Sequence, residues 1–487
     1  MSPLSFAHLN LRFQRLLNSC SLVMCTSPVD IRNRAQWSGA EGNSRAELLS
    51  ALNQNISPTV MIPEHRLASL LTERQTAQIL DCRYHNTLTA PSLFSEHSCA
   101  ASDFPLQTLL ELRDHTDEVW HVHFSPDGTK LATAGKDGHV IVYETTRFQA
   151  IHEYNISADA GASATPQNAT GNGICYIAFS PDSKALCVCA QSNEFVVLGM
   201  AEGRVLARGD HFDYPVTSCA WMPDSERVVI GTQGSQRPLG IYSITNSTTP
   251  GVYERDDRPS YARPSDIRNR ELHSFRVPPW DTNRRDQPPS FRTTDCAVNP
   301  SGTLLAASTI ENDILLYELE TDDMRRVAVW NMEDKISSVT FSSDGGELLI
   351  NMNEGQVLTL DIRTGGVLQR YEGIVQKDFV IRSTYGGAGG NLVVSGSEGK
   401  TITLKYDDAS LSNRARHEAI KYFSRLPRRD LLIIRGEDSQ ICVWRRQTGA
   451  LVAKLDAHYG ATVNAVAWHP TKHDVWASAG DDRGVRM

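Results

Sequence analysis

The spacing of apolar residues changes along the chain. Up to about residue 81 they recur every three or four positions, and beyond about residue 107 they fall into short runs separated by turn residues. The clearest stretch of the second kind starts at Val119. Val119, Val122 and Phe124 mark one run, Ser125-Pro126-Asp127-Gly128 turns the chain, Leu131 to Ala134 makes a second run, Asp137-Gly138 turns it again, and Val140 to Tyr143 makes a third. Short apolar runs bounded by Pro, Asp and Gly predict strands joined by tight hairpins. Both faces of this meander are apolar, so it needs neighbours of its own kind.

The pattern repeats. An apolar residue, a second apolar residue three positions on, and an apolar or aromatic residue two further, followed by a Pro/Asp/Gly/Ser turn, start at Val119, Ile174, Val216, Ile336 and Val463, with weaker copies near Thr293 and Val380. From Ile174 to Val216 is 42 residues, from Thr293 to Ile336 is 43, and from Ile336 to Val380 is 44. A period of roughly 40–45 residues is that of four-stranded propeller blades. The sequence therefore predicts a mainly β protein, a seven-bladed β-propeller over 104–487. Longer intervals imply insertions near 157–173, 246–292 and 399–437. The second is dense in Arg, Asp and Pro and is expected to be weakly ordered. The third separates Val394–Glu398, read as a second strand, from Asp438–Trp444, read as the turn and third strand of the same blade. It is either a long loop or a translated intron. Gln107 to Leu112 is predicted to be the outer strand of the last blade, locking the ring.

The front of the chain is predicted to be helical. One or two short helices cover 4–37, with a break at Ser27-Pro28, and another starts near Arg45 with Leu48, Leu49 and Leu52 as its stripe. Pro58 and Pro63 keep 56–63 extended. A clearer amphipathic helix runs from Glu64 to about Asp81, with Leu67, Leu70, Leu71 and Gln78 on one side. This gives a helical part over 1–40, a helical linker over 41–103, and then the ring.

Composition narrows the function classes. With 48 basic against 57 acidic residues, the net charge of −9 argues against a nucleic-acid surface. No run approaches the ~20 apolar residues of a membrane helix. The ten cysteines show no CxxC spacing, and Cys187 and Cys189 share a strand face, so they are read as reduced, buried thiols of a cytosolic or nuclear protein. The first ~25 residues, with Arg12, Arg15 and no acid before Asp30, are compatible with a transit peptide, but Leu9, Phe13, Leu16, Leu17, Cys20 and Met24 favour an amphipathic helix.

Residues that could carry chemistry mostly recur by blade. His115, Thr133 and Asp137 have the order of a structural hydrogen-bond relay, with Tyr143 as the third-strand aromatic. His458, Ser478 and Asp482 repeat it, and blade six supplies Ser395, Asp438 and Trp444. A hydrolase triad would need an oxyanion-hole glycine motif, which these lack. His121 and His123 alternate on one strand without a third metal ligand at a sensible spacing, so they are read as a partly exposed strand edge. Gly386 to Gly390 has no Lys-Ser/Thr after it and is read as a strand turn. No catalytic residue, cofactor or metal ligand is assigned. The candidate partner-binding rim comprises Glu118, Trp120 and Lys136 in blade one and Thr462, Asn464 and Asp481 in blade seven. Trp120 is either an anchoring contact or a tryptophan packed between blades.

Blade one with its lead-in, Cys82-Arg83-Tyr84-His85-Asn86, Tyr371-Glu372-Gly373 running into 380–385, Ser395 to Glu398, and His458 to Asp482 together resemble the WD-repeat subunit of the GID/CTLH E3 ubiquitin ligase, the family of yeast glucose-induced degradation protein 7. Ser21 to Trp37 is similar to the end of that family's CTLH/CRA helical domain, and Ile56 to Leu67 to its linker. The resemblance implies a non-catalytic scaffold whose propeller recruits substrates or regulators, with ubiquitin transfer carried out by separate RING subunits. It implies other ligase subunits as partners, no nucleic acid and no membrane, and a cytoplasmic, secondarily nuclear, location. The LisH motif and most of the CTLH domain, where the family places its self-association and docking, have no counterpart here, so the resemblance does not by itself imply either, and both ends of the chain are expected to be truncated. Met487 falls one residue short of the expected third-strand Trp.

Two other readings stay open. Leu360-Asp361-Ile362-Arg363 has the Asp-x-Arg of a cullin-4 adaptor-docking motif with Leu in place of Trp, and a propeller can be a generic interaction scaffold outside the ubiquitin system. An enzyme built around the central channel is the third class, and the sequence offers it no convergent acid/base pair.

Overall fold

The computed structural model describes residues 65–156, 173–201, 203–209, 212–235, 238–244, 291–319, 325–398, 440–458 and 460–487, together with 27–35, the backbone of Glu271–Ser274 and positions 43, 46, 49 and 50. The expected helices over 4–26 and from Arg45, and most of the three insertions, lie outside the described residues.

Two helices of the front part are described. The first, Pro28–Ala35, follows Ser27, whose hydroxyl accepts from the Val29 amide at 3.2 Å, and it has proline at its first turn, where the missing N–H is not needed. The second, Arg66–Asp81, starts two residues after the predicted position. Its buried Gln78 donates to the Ser95 carbonyl at 3.2 Å.

From Glu111 onward the described strands form seven four-stranded antiparallel sheets. Blade one is Val119–Phe124, Lys130–Gly135, His139–Glu144 and Gln149–Asn155. The inner strands of the other blades are Ile174–Phe179, Val216–Trp221, Thr293–Val298, Ile336–Phe341, Thr384–Gly386 and Val463–Trp468. Six of the seven start at the predicted residue. In blade six the expected leading residue, Val380, is 56 % exposed, and Ile381 takes the buried position before a three-residue strand. The neighbouring apolar residue carries the signal in the sequence, and burial selects the second of the two. Leu392–Ser395 pairs directly with Gln440–Arg445, so the two halves of blade six are adjacent across the long interval. The interval 246–292, expected to be a weakly ordered insertion unable to build a core, supplies the fourth strand of blade three at Glu271–Ser274, paired with Leu239–Ser243. An outer strand is held by backbone pairing and can do without an apolar face of its own.

Each seam between adjacent blades holds one apolar cluster, seven in all among the described residues. Leu131, Leu186, Ile230 and Leu305 are fully buried there. Each such side chain contributes about 1.5–3 kcal/mol. The ring closes where Glu111–Leu112 pairs with Val485–Arg486, and the Leu109 amide donates to the Met487 carbonyl at 2.7 Å. Leu112 joins Val119, Val122 and Leu131 in the seam between the last and first blades.

The first hairpin turn of each blade adds polar ties. Blades one, four and five place Gly128, Gly302 and Gly345 there with φ of 72°, 74° and 69°, the left-handed region that glycine enters without cost. Blades two and three place Ser183 and Ser225 there instead, at 60° and 59°. Each serine hydroxyl accepts from a turn amide of the preceding blade, Asp127 and Asp182 respectively, at 3.1 Å. A glycine would relax the backbone and lose the tie.

Candidate interaction surface and channel

In six blades the pairing between the first and second strands slips after the leading residue. The extra residue of each bulge is Trp120, Cys175, Thr217, Thr294, Ser337 or Asn464. A bulge re-aims the side chain it carries. All six line one cavity of about 570 Å³ at the mouth of the central channel.

Four of the six bulge side chains cross a seam. Cys175 Sγ donates to the Val216 carbonyl at 2.9 Å, Thr217 Oγ1 to Thr293 at 3.1 Å, Ser337 Oγ to Ile381 at 3.2 Å, and Asn464 Nδ2 to Val119 at 2.9 Å. Each acceptor is the carbonyl of the leading buried residue of the next blade. Thr294 stays within its blade, 2.7 Å from the Ser308 hydroxyl.

Trp120 behaves differently. Its Nε1 donates to Glu118 Oε2 at 3.0 Å, its half-buried ring lies against Gly173, and the second Glu118 oxygen is 3.0 Å from Lys136 Nζ. Glu118, Trp120 and Lys136 thus form one group on the rim, with part of the indole open to the cavity. Thr462 and Asn464 differ from the expected exposed rim. They are buried, and Asn464 holds both Val119 and Asp481 Oδ1, the latter at 2.8 Å. The position after the leading residue does point to the mouth, but at Asn464 the amide reaches across the seam before solvent can.

The sequence reading missed the segment next to it. Phe379 and Val380 stand side by side, 46 % and 56 % exposed, on the same rim. Their backbone is held from below. The buried Glu398 carboxylate accepts from the amides of Lys377 (2.6 Å) and Asp378 (3.1 Å), and Gln376 Nε2 donates to the Phe379 carbonyl at 3.0 Å. Exposed apolar side chains on a fixed backbone lose little entropy on contact.

Deeper in the channel, Arg382 takes the inner position of blade six. Its amide donates to the Asn464 carbonyl and its Nη1 to Asp295 Oδ2, at 2.9 and 3.0 Å. Asp295 also accepts from the Val339 and Cys296 amides, at 2.9 and 3.0 Å. The guanidinium lies 4.2 Å from the Tyr176 ring centroid. Burial pushes the Asp295 carboxyl up, and Arg382 with the two amides pulls it partly back. His121 and His123, expected on an exposed edge, line this lower chamber of about 330 Å³, because the strand that carries them faces the channel rather than solvent. Burial holds both imidazoles down, His123 to about 4, so they are neutral at physiological pH. The carboxylate that could have paired with them is engaged by Arg382. No signal in the sequence links Asp295 to Arg382, 87 residues apart.

In blade one, His115 Nδ1 lies 3.0 Å from Asp137 Oδ2 and Nε2 lies 2.8 Å from Thr133 Oγ1, while the Tyr143 hydroxyl donates to Asp114 at 2.8 Å. In blade seven, His458 Nδ1 is 2.7 Å from Asp482 and Nε2 is 2.8 Å from Ser478, with Arg486 bridging Asp482 and Glu111. Burial pushes both aspartates up, yet the imidazole hydrogen bond and charge win and hold each at about 2. In blade six, Ser395 Oγ donates to the Gly396 carbonyl at 3.1 Å and Trp444 Nε1 to the Glu372 carbonyl at 2.9 Å. Asp438 lies outside the described residues. Cys187, Cys189 and Cys219 are buried together between blades two and three.

A closed ring of seven four-stranded blades, with His–Asp relays in blades one and seven, is a seven-bladed β-propeller. Residues 106–144 and 449–487 match the family described as WD domain, G-beta repeat. The chain is similar to the Arabidopsis thaliana WD repeat-containing protein 26 homolog, 27% identical over 449 residues, which cover 91% of this chain and 61% of the relative. It is 26% identical over 477 residues to the Drosophila melanogaster protein of the same description, covering 96% and 62%. To GID complex subunit 7 of Schizosaccharomyces pombe it is 24% identical over 460 residues, covering 92% and 71%. The chain thus spans less than two thirds of the Arabidopsis and Drosophila relatives. Among the described residues, no helix is long and apolar enough to cross a membrane.

Proposed function

We propose that this chain is a non-catalytic scaffold subunit of a GID/CTLH-type ubiquitin ligase, and that its propeller recruits substrates or regulators for proteasomal degradation in the cytoplasm and, secondarily, the nucleus. The observation that carries the reading is the alignment with GID complex subunit 7, which runs through the lead-in as well as the ring over 92% of this chain. WD repeats alone would support only protein interaction. The rim supports the recruiting role, because Trp120 and the held Phe379–Val380 pair line the same concave mouth and offer apolar anchors there. Channel groups engaged with one another fit a binding surface better than a catalytic one.

Affinity purification from the native organism tests the complex. Recovery of RING and LisH-domain proteins is expected, and their absence would sink the reading. Trp120→Ala with Phe379→Ala should lose captured substrates or regulators while keeping those subunits. Equal capture by the double variant would remove the rim from the account. A cullin-4 receptor is the second reading. Arg363 is exposed, but Asp361 accepts from the Arg363 amide at 2.9 Å and from Thr364 at 3.1 Å and so caps its own turn. Undiminished binding to the cullin adaptor after Arg363→Ala would remove that motif as its basis.

A further inference from the structure

The segment that leads into the ring brings together four side chains that the search for CxxC pairs passes over. Cys82 and His85 sit on the turn that ends the Arg66–Asp81 helix, and His97 and Cys99 on the extended stretch before the short helix Ala101–Asp103. The spacing is Cys-x2-His followed by His-x-Cys. His85 Nδ1 lies 2.8 Å from His97 Nε2 and 3.8 Å from Cys99 Sγ, and His97 Nε2 lies 3.3 Å from Cys99 Sγ. The ligand atoms of Cys82, His97 and Cys99 all fall within 4.8 Å of one another.

We propose that Cys82, His85, His97 and Cys99 form a structural zinc site. With Zn–N of about 2.0–2.1 Å and Zn–S of about 2.3 Å, a tetrahedron has edges of about 3.3–3.8 Å between ligand atoms. The separations among His85, His97 and Cys99 lie near that range, while Cys82 Sγ groups with His97 and Cys99 and has to approach His85 to complete the tetrahedron. Two thiolates and two neutral imidazoles balance a divalent cation, and this sulfur and nitrogen set selects zinc over oxygen-seeking magnesium or calcium. Groups around the four ligands hold them in place. Arg445, itself buried, donates to the Cys82 and His85 carbonyls, and the Cys99 amide donates to Cys82 Sγ at 3.2 Å. Such outer partners fix the orientation of metal ligands. Cys82 and His85 are buried, whereas His97 and Cys99 are partly open and leave a path for the ion.

The site has a position that explains its use. Its turn is bound to the ring by Arg83 Nε to the Val452 carbonyl at 2.9 Å, by Asn86 accepting from the Ala388 amide at 2.8 Å, and by Asn86 donating to the His473 carbonyl. Twelve residues after Cys99 the chain reaches Glu111–Leu112, the strand that closes the ring. The zinc holds the lead-in of that strand in one shape on blade six.

The full chain, purified without chelator, should carry about one zinc by elemental analysis. His97→Asn and Cys99→Ser should each lose most of it, while Cys187→Ser, in the separate thiol cluster, should keep it. Cobalt added to metal-free wild-type protein should give the intense visible bands of a tetrahedral ion and thiolate-to-cobalt charge transfer. Chelation should lower the melting temperature of the wild type and leave His97→Asn unchanged. A folded wild-type chain with no zinc and no cobalt spectrum would overturn the site, leaving a histidine pair joined by one hydrogen bond. So would a Cys82–Cys99 disulfide found by mass after alkylation, or zinc lost from Cys187→Ser and retained in His97→Asn.

Discussion

Replacing Arg382 by Met removes the guanidinium that faces Asp295 in the channel and keeps most of the side-chain volume. The carboxylate left behind is 1 % exposed and retains the Val339 and Cys296 amides. Breaking one partner of a buried ion pair costs about 3–5 kcal/mol. The lost stacking on Tyr176 adds up to about 2 kcal/mol where the cation is desolvated, and the two retained amides offset part of both. A loss of about 3–5 kcal/mol at neutral pH is the expected result, read as the shift of the urea unfolding midpoint at constant slope. Its pH dependence follows from the same geometry. Burial already raises the Asp295 carboxyl, and without Arg382 it rises further. A carboxyl raised in the folded state stabilises while protonated, so the deficit of Arg382→Met against wild type should shrink at low pH and grow as pH rises through the folded value. Adding Asp295→Asn to the variant should restore stability to within about 1–2 kcal/mol of wild type. A loss below about 1 kcal/mol that does not change with pH would show that the pair is not the structural element described here.

Other outcomes follow from named contacts. Asp137 and Asp482 are held at about 2 by their histidines, below the unfolded value, so their contribution is full above about pH 4 and disappears as pH falls through about 2. Acid unfolding of Asp137→Asn and Asp482→Asn should therefore be less steep than that of wild type, and an identical slope would refute the assignment. Asn464→Leu leaves the Val119 carbonyl without its seam donor and should cost about 1–3 kcal/mol in thermal or urea unfolding. Trp444 is fully buried, and Trp444→Ala should cost about 3–5 kcal/mol, with Trp444→Phe recovering most of it.

The ring was legible in the sequence because each blade writes the same short alternation and the same turn, and burial of the leading residue leaves one register for each copy. Six leading residues fall where the pattern puts them. Blade six misled because Val380 and Ile381 are both apolar and only packing distinguishes them. The relays of blades one and seven were legible as residue order. The channel was not, since Asp295, Tyr176 and Arg382 come from three blades and meet only when the ring closes. The rim was half legible. The position after the leading residue does point to the mouth, but sequence spacing cannot show which side chains reach a neighbouring carbonyl, as Asn464 does, and which stay open, as Trp120 does. The chemistry of the Cys82 turn is not legible from spacing, because its two thiols are separated in the chain by a histidine pair and meet only when the turn folds against the stretch at His97.

Arg382 belongs to the walls of both the upper and the lower chamber. Its guanidinium is held by Asp295 of blade four and its amide by the Asn464 carbonyl of blade seven, so the wall that the two chambers share is fixed from both sides.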